Sequence, residues 1–175
     1  KLIRSRLDDA NLKLGKERGE APDAKGTGKR FSHVMAVAPN ASSSIIMGNT
    51  SPSIEPYRAN AYRQDTLSGA YLNKNKYLDE LIKAEEGSHP LGWYQDTWSS
   101  IIANDGSVQH LKWMTDEQKE VFKTAMEIDQ RWVIEHAADR QEFIDQAQSL
   151  NLFFRPDANI VYLNAVHYMA WKKGL

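Results

Sequence analysis

Only two short runs in this 175-residue chain read as buried or half-buried strands. "FSHVMAVAP" (31–39) is valine-rich and closed by a proline, and "QSLNLFF" (148–154) alternates polar with apolar residues. Nearly everything else with a pattern repeats at helical spacing. Two strands do not make a sheet with two covered faces. The chain therefore reads as part of a larger α/β structure, or as a helical domain with a small sheet. One partial domain over residues 1–175 is the expected organisation, since the length suits a single domain.

The expected helices follow from apolar spacing and end signals. Residues 1–17 carry Leu2, Ile3, Leu7, Ala10, Leu12 and Leu14 among charges. "RGEAPDAKGTGKR" (18–30) reads as a loop, having three glycines and a proline. Residues 42–47 predict a short helix with Gly48 as its left-handed stop. The stretch 49–69 is irregular, pinned by Pro52 and Pro56, with an extended piece from Tyr57 to Thr66. Further helices are expected over 73–86, ending at Gly87, and over 92–103, ending at "NDG". Thr115 with Gln118 predicts a capping box opening the longest helix, with an apolar stripe through Val121, Phe122, Ala125, Ile128, Trp132, Val133 and Ala137. A last helix is expected from near Asp157 to Lys172 and Lys173, with Gly174 as its stop. The tryptophans 93, 98, 113, 132 and 171 read as core or buried-interface residues.

Composition removes several function classes. A net charge of −1 gives no basic field for nucleic acid, and no window is apolar enough to span a membrane. The charged first residues lack a signal peptide's apolar centre. The absence of cysteine excludes disulfides and thiol chemistry from this chain and suits a cytoplasmic setting. "KGTGKR" (25–30) invites a phosphate-loop reading, but Asp23 stands where a glycine is needed and Arg30 where Ser or Thr would bind magnesium. A surface loop is the better reading. The five histidines show no ligand spacing, and Glu86 with His89 has no second copy, so no metal site is expected. The Asn40-Ala41-Ser42 and Asn49-Thr50-Ser51 sequons carry no weight without a secretory signal.

That leaves "VAPNASSSIIMGN" (37–49), where an apolar run breaks at a proline and small hydrogen-bonding residues open a helix. A helix start presents unpaired N–H groups and the positive end of the dipole, and small residues let an anion come close. Ordinary capping by Asn40 or Ser42 would satisfy the same amides. Spacing alone leaves both readings open.

The words around this turn are familiar. "HVMAVAPNASSSIIMGNTSPSIEPYRANAYRQDTLSG" (33–69), "FIDQAQSLNLFF" (143–154) and "HYMAWKKGL" (167–175) resemble, in order, the C-terminal part of the large catalytic subunit of class I ribonucleotide reductases, with the bacteriophage-like form as the nearest flavour. The resemblance implies the C-terminal portion of a ten-stranded α/β barrel, incomplete on its own. The implied enzyme reduces ribonucleoside diphosphates to deoxyribonucleotides by radical chemistry. It implies that Asn40, Ala41, Ser42 and Ser43 bind the substrate's diphosphate, and that Pro39 ends the preceding barrel strand. Position 41, here alanine, can supply only its amide. Glu55 in "SIEP" belongs to the pattern without an assigned role.

The same resemblance implies that the catalytic cysteine, the redox-active pair and the base-selecting effector site lie upstream of Lys1 or are missing. The radical-passing tyrosine pair would follow "WKKGL". No catalytic residue and no cofactor are then expected within 1–175. The full enzyme would need a radical-generating, metal-containing small subunit and a thioredoxin or glutaredoxin reductant, and its large subunit would form a homodimer. A fragment of a longer subunit, one piece of a split reductase and an independent phosphate- or protein-binding module all remain as readings.

Overall fold

The chain's first helix, α1 (Leu2–Arg18), follows the predicted span but not the predicted face. Leu2 and Ile3 are exposed, and the buried positions are Asn11 and Gly15. A Cβ at Gly15 would lie 2.0 Å from the Gly28 carbonyl oxygen, so helix and loop meet backbone to backbone. That approach is open only to glycine. Asn11 then serves residue 31 as a neighbouring strand would. Its Nδ2 donates to the Phe31 carbonyl at 2.8 Å, and its Oδ1 accepts the Phe31 N–H at 2.7 Å.

The computed structural model describes every residue except Asn49, Thr50, Pro52 and Ser68, and only the backbone of Ile45, Gln64 and Thr66. The chain divides into two compact units, one of Lys1–Asn40, Gln130–Leu152 and Pro156–Leu175, the other of Ala41–Asp129 with Phe153–Arg155.

In the first unit the two predicted strands do meet, in parallel, but as a single bridge between Val37 and Gln148. The Val37 N–H donates to the Ala147 carbonyl at 3.2 Å, and the Ser149 N–H donates to the Val37 carbonyl at 2.8 Å. Val34, Met35 and Val37 are half-buried, and Ala36 and Ala38 are exposed, which corrects the expectation of a buried strand here. Helices α6 (Gln130–Gln141) and α7 (Ile160–Lys172) pack together and bury Val133, Ile134, Ala137 and Val166. Helix α7 starts three residues beyond Asp157, because Asn159 caps it by accepting the Val161 N–H at 2.8 Å. Gly174 takes the expected left-handed conformation at its end, with φ 81°.

The second unit opens with α2 (Ala41–Ile46), stopped by Gly48 at φ 94° as expected. Strand β1 (Ala61–Thr66) lies inside the predicted extended piece and pairs antiparallel with β2 (Gly69–Lys74), in register from Ala61↔Lys74 to Thr66↔Gly69. Strand β2 was not anticipated. Most of its residues are exposed, so it has no burial pattern to read. Asn75 caps α3 (Lys76–Glu86), whose Leu78 and Ile82 are fully buried. They share a core with Trp98 and Ile101 of α4 (Trp93–Ala103) and with Ala61, Val108, Leu111 and Met114. Gly87 ends α3 in right-handed geometry, without the left-handed turn a glycine permits.

The predicted longest helix is broken in two. Its capping box forms: the Gln118 N–H donates to Thr115 Oγ1 at 3.2 Å, and the Thr115 N–H donates to Gln118 Oε1 at 2.9 Å. Yet α5 (Asp116–Val121) stops after six residues, and helix resumes only at Gln130. A continuous helix would spend the Phe122 carbonyl and the Ala125 N–H on each other's turns. Here Asn60 Nδ2 donates to the Phe122 carbonyl at 2.7 Å, and the Ala125 N–H donates to the Tyr57 carbonyl at 2.7 Å. Glu127 Oε2 also accepts the Thr124 N–H and hydroxyl, at 2.8 and 3.0 Å. Among the tryptophans, Trp98 is buried as expected, whereas Trp132 and Trp171 are exposed.

Candidate functional site

Pro39 ends the extended segment, and Asn40 turns the chain with φ 49°, in the left-handed region that asparagine tolerates better than most residues. Ala41 is the first residue of α2, so the N–H groups of Ala41, Ser42 and Ser43 are among those a helix leaves without intrahelical partners. Ser42 and Ser43 are exposed, whereas Ser44 is buried and donates its hydroxyl to the Ala41 carbonyl at 2.7 Å. Three adjacent serines thus divide into two outward hydroxyls and one that braces the turn from within. Ordinary capping residues have extended backbone. Asn40 does not, and among the described residues neither Asn40 nor Ser42 caps the turn through its side chain.

The segment leading to this turn is held by a group with no local sequence signal for that role. The Asp145 carboxylate accepts the Met35 N–H at 2.9 Å and the Val34 N–H at 3.1 and 3.2 Å. Arg4 Nη1 lies 3.1 Å from Asp145 Oδ2, and Arg4 Nε donates to Asp8 at 2.9 Å. Burial pushes the Asp145 carboxyl up, but the Met35 and Val34 amides and the Arg4 charge outweigh it and hold it below the ordinary carboxylate value. Asp145 stands inside "FIDQAQSLNLFF", but the contact crosses 110 positions of sequence, beyond any local pattern.

Other candidates resolve into structure. In "KGTGKR" the amides that would cradle a phosphate are taken: Glu20 accepts the Gly26 N–H at 2.7 Å and also the Gly28 N–H. His89 stacks on Trp93 with ring centroids 3.9 Å apart, and His110 Nε2 lies 2.7 Å from Ser100 Oγ. Among the described residues no three His, Asp or Glu side chains gather as metal ligands, and no helix is long and apolar enough to cross a membrane. Glu55 is buried, and the sequon at Asn49 and Thr50 lies outside the described residues.

Comparison with known proteins extends the likeness along nearly the whole chain. The family profile of the ribonucleotide reductase barrel domain matches residues 18–175. The chain is 55% identical over 175 residues to the ribonucleoside-diphosphate reductase large subunit of Invertebrate iridescent virus 6, covering 99% of this chain and 18% of that protein. It is also 55% identical to the large subunit of Invertebrate iridescent virus 3, covering 100% of this chain and 28% of that protein. Both relatives are viral, in keeping with the bacteriophage-like form expected from the motifs. Among solved structures, the Actinobacillus ureae class Id ribonucleotide reductase alpha subunit superposes with a TM-score of 0.84 at 41% identity, covering 99% of this chain and 30% of that one. The chain thus spans less than a third of the length of each of these three proteins. With a barrel-domain match over residues 18–175 and 55% identity along its length to two viral large subunits, this chain belongs to the ribonucleotide reductase large-subunit family.

Proposed function

We propose that this chain is the segment of a ribonucleoside-diphosphate reductase large subunit that holds the substrate's diphosphate. The complete enzyme reduces ribonucleoside diphosphates to deoxyribonucleoside diphosphates by radical chemistry for DNA synthesis. Asn40, Ala41, Ser42 and Ser43 form the binding turn, with backbone N–H groups and the Ser42 and Ser43 hydroxyls as donors. Neutral donors at a helix start suit a diphosphate that must bind and leave repeatedly. The observation that carries this reading is the exposure of Ser42 and Ser43 after an Asn40 that does not cap in the ordinary way.

In this reading residues 1–175 are one part of a ten-stranded α/β barrel and supply no catalytic residue. The cysteines belong to the remainder of the large subunit. The radical comes from a metal-containing small subunit, and reducing equivalents come from a thioredoxin or glutaredoxin. The large subunit works as a homodimer in the cytoplasm. The exposed Val161 and Trp171 of α7 and Leu2 and Ile3 of α1 fit a segment whose apolar faces are covered by the rest of the barrel.

Replacing Ser42 and Ser43 with alanine in the complete enzyme tests the site. Each lost hydrogen bond to a charged group costs roughly 1.5–3 kcal/mol, so KM for the nucleoside diphosphate should rise by about tenfold or more. An unchanged KM would reduce both serines to helix-end residues. Tight diphosphate binding by a monomeric, isolated chain would instead favour an independent binding module.

A further inference from the structure

We infer that Asp145 is a positioning residue for the diphosphate-binding turn, acting through the segment that delivers Asn40. The inference rests on the reading of Asn40–Ser43 as the substrate site.

The extended segment 31–39 has few backbone partners. Its single bridge is at Val37, where Ala147 and Ser149 supply one hydrogen bond each. Earlier in the segment the partner chain cannot continue the pairing, because Phe143 and Ile144 are engaged in the turn that ends α6, donating their N–H groups to the Arg140 and Gln141 carbonyls. The Asp145 side chain takes over where the partner backbone leaves off. It accepts the Val34 and Met35 N–H groups two residues before Ala147 accepts that of Val37. Side chain and backbone of one short stretch, 145–149, therefore grip consecutive parts of 34–37.

This grip sets register. A slip of one residue along an extended segment would turn every side chain to the opposite face and move the chain by about 3.3 Å. Asn40 follows Met35 by five residues, with Pro39 restricting the last link. A shift at Met35 that loosens the Val37 bridge would displace Asn40, the residue that opens the turn. Arg4 adds orientation: paired with Asp145 Oδ2 and hydrogen-bonded to Asp8, it keeps the carboxylate from rotating off the two amides. Asn11 anchors Phe31 at the other end of the segment, so 34–35 lie between two held points, Phe31 and Val37.

The test uses the complete large subunit with its small subunit, in steady-state kinetics with a nucleoside diphosphate. Asp145→Ala should raise KM about tenfold while kcat stays within about twofold, the effect of misplacing donors that act on binding. Asp145→Asn keeps an acceptor for the amides but turns an NH2 group towards Arg4, and should show the same split. Adding Arg4→Gln gives that NH2 group a carbonyl to bond and should bring KM back towards the parent value. A merely structural role would lower active-enzyme concentration and leave KM alone, and rescue by the second substitution would not appear in KM. If Asp145→Ala fails to fold, the Asn and Gln/Asn pair decide alone. Should Ser42→Ala and Ser43→Ala raise KM while the Asp145 variants leave it unchanged, the positioning role is overturned and the site stands. Should the serine variants also leave KM unchanged, the site reading itself fails.

Discussion

The core between α3 and α4 and the bridged segments 34–37 and 145–149 are held by different physics. The first is a closed apolar cluster: Leu78, Ile82, Ile101 and Val108 have no solvent exposure, and each owes its place to many weak contacts. The second buries little and depends on a few directed hydrogen bonds to Asp145, Ala147 and Val37. An apolar core tolerates small displacements of any one member, because the driving force is non-directional. A hydrogen-bonded segment has one good geometry and loses much of its restraint with one partner. Asn40, which opens the proposed substrate turn, belongs to the unit held in the second way.

Three measurements, two on the complete subunit and one that compares it with this segment alone, would break or sharpen this contrast. The largest effect is expected from Ile101→Ala, which leaves a cavity among Leu78, Trp98 and Val108 and should cost about 2–5 kcal/mol in denaturant unfolding. A loss below ~1 kcal/mol would mean that this cluster is not the stabilising centre of its unit. Acid should act on the other region. Asp145 is held below its ordinary value, so its restraint is fully present above the usual carboxylate range near ~4 and is lost as pH falls through the depressed value. Amide hydrogen exchange of peptides spanning 32–37 should therefore lose protection on acidification before peptides spanning 98–103. Simultaneous loss would erase the distinction. The smallest effect belongs to Trp171→Ala, whose side chain is 69% exposed: unfolding of this segment alone should change by less than about 0.5 kcal/mol. In the complete subunit the same substitution should cost more, if the rest of the barrel covers α7. Equal costs in both settings would leave that face uncovered.

Short-range chemistry was legible from the residues. The Thr115–Gln118 capping box, the left-handed Gly48 and Gly174, and helices over most of 1–17, 73–86, 92–103 and 157–173 depend on groups within a few positions of one another. The quoted motifs likewise point to the family, and the turn at Asn40–Ser43 stands out from the residues alone. The break after α5 was not legible. The apolar stripe from Val121 to Ala137 is continuous, but the Phe122 carbonyl and the Ala125 N–H have better-placed partners on Asn60 and Tyr57. Strand β2 exists because β1 lies beside it, and its exposed residues carry no period of their own.

By itself, then, the sequence determined where most of the helices lie, which family the chain belongs to, and which residues open the proposed binding turn. These follow from local hydrogen-bond competition and from side-chain identity. Only the tertiary structure decided that a helix would be cut at Phe122, that two predicted strands would meet at one bridge, and that Asp145 would hold Val34 and Met35 from 110 residues away. A backbone amide takes the partner that folding brings within about 3 Å, and no local pattern records which distant group that will be.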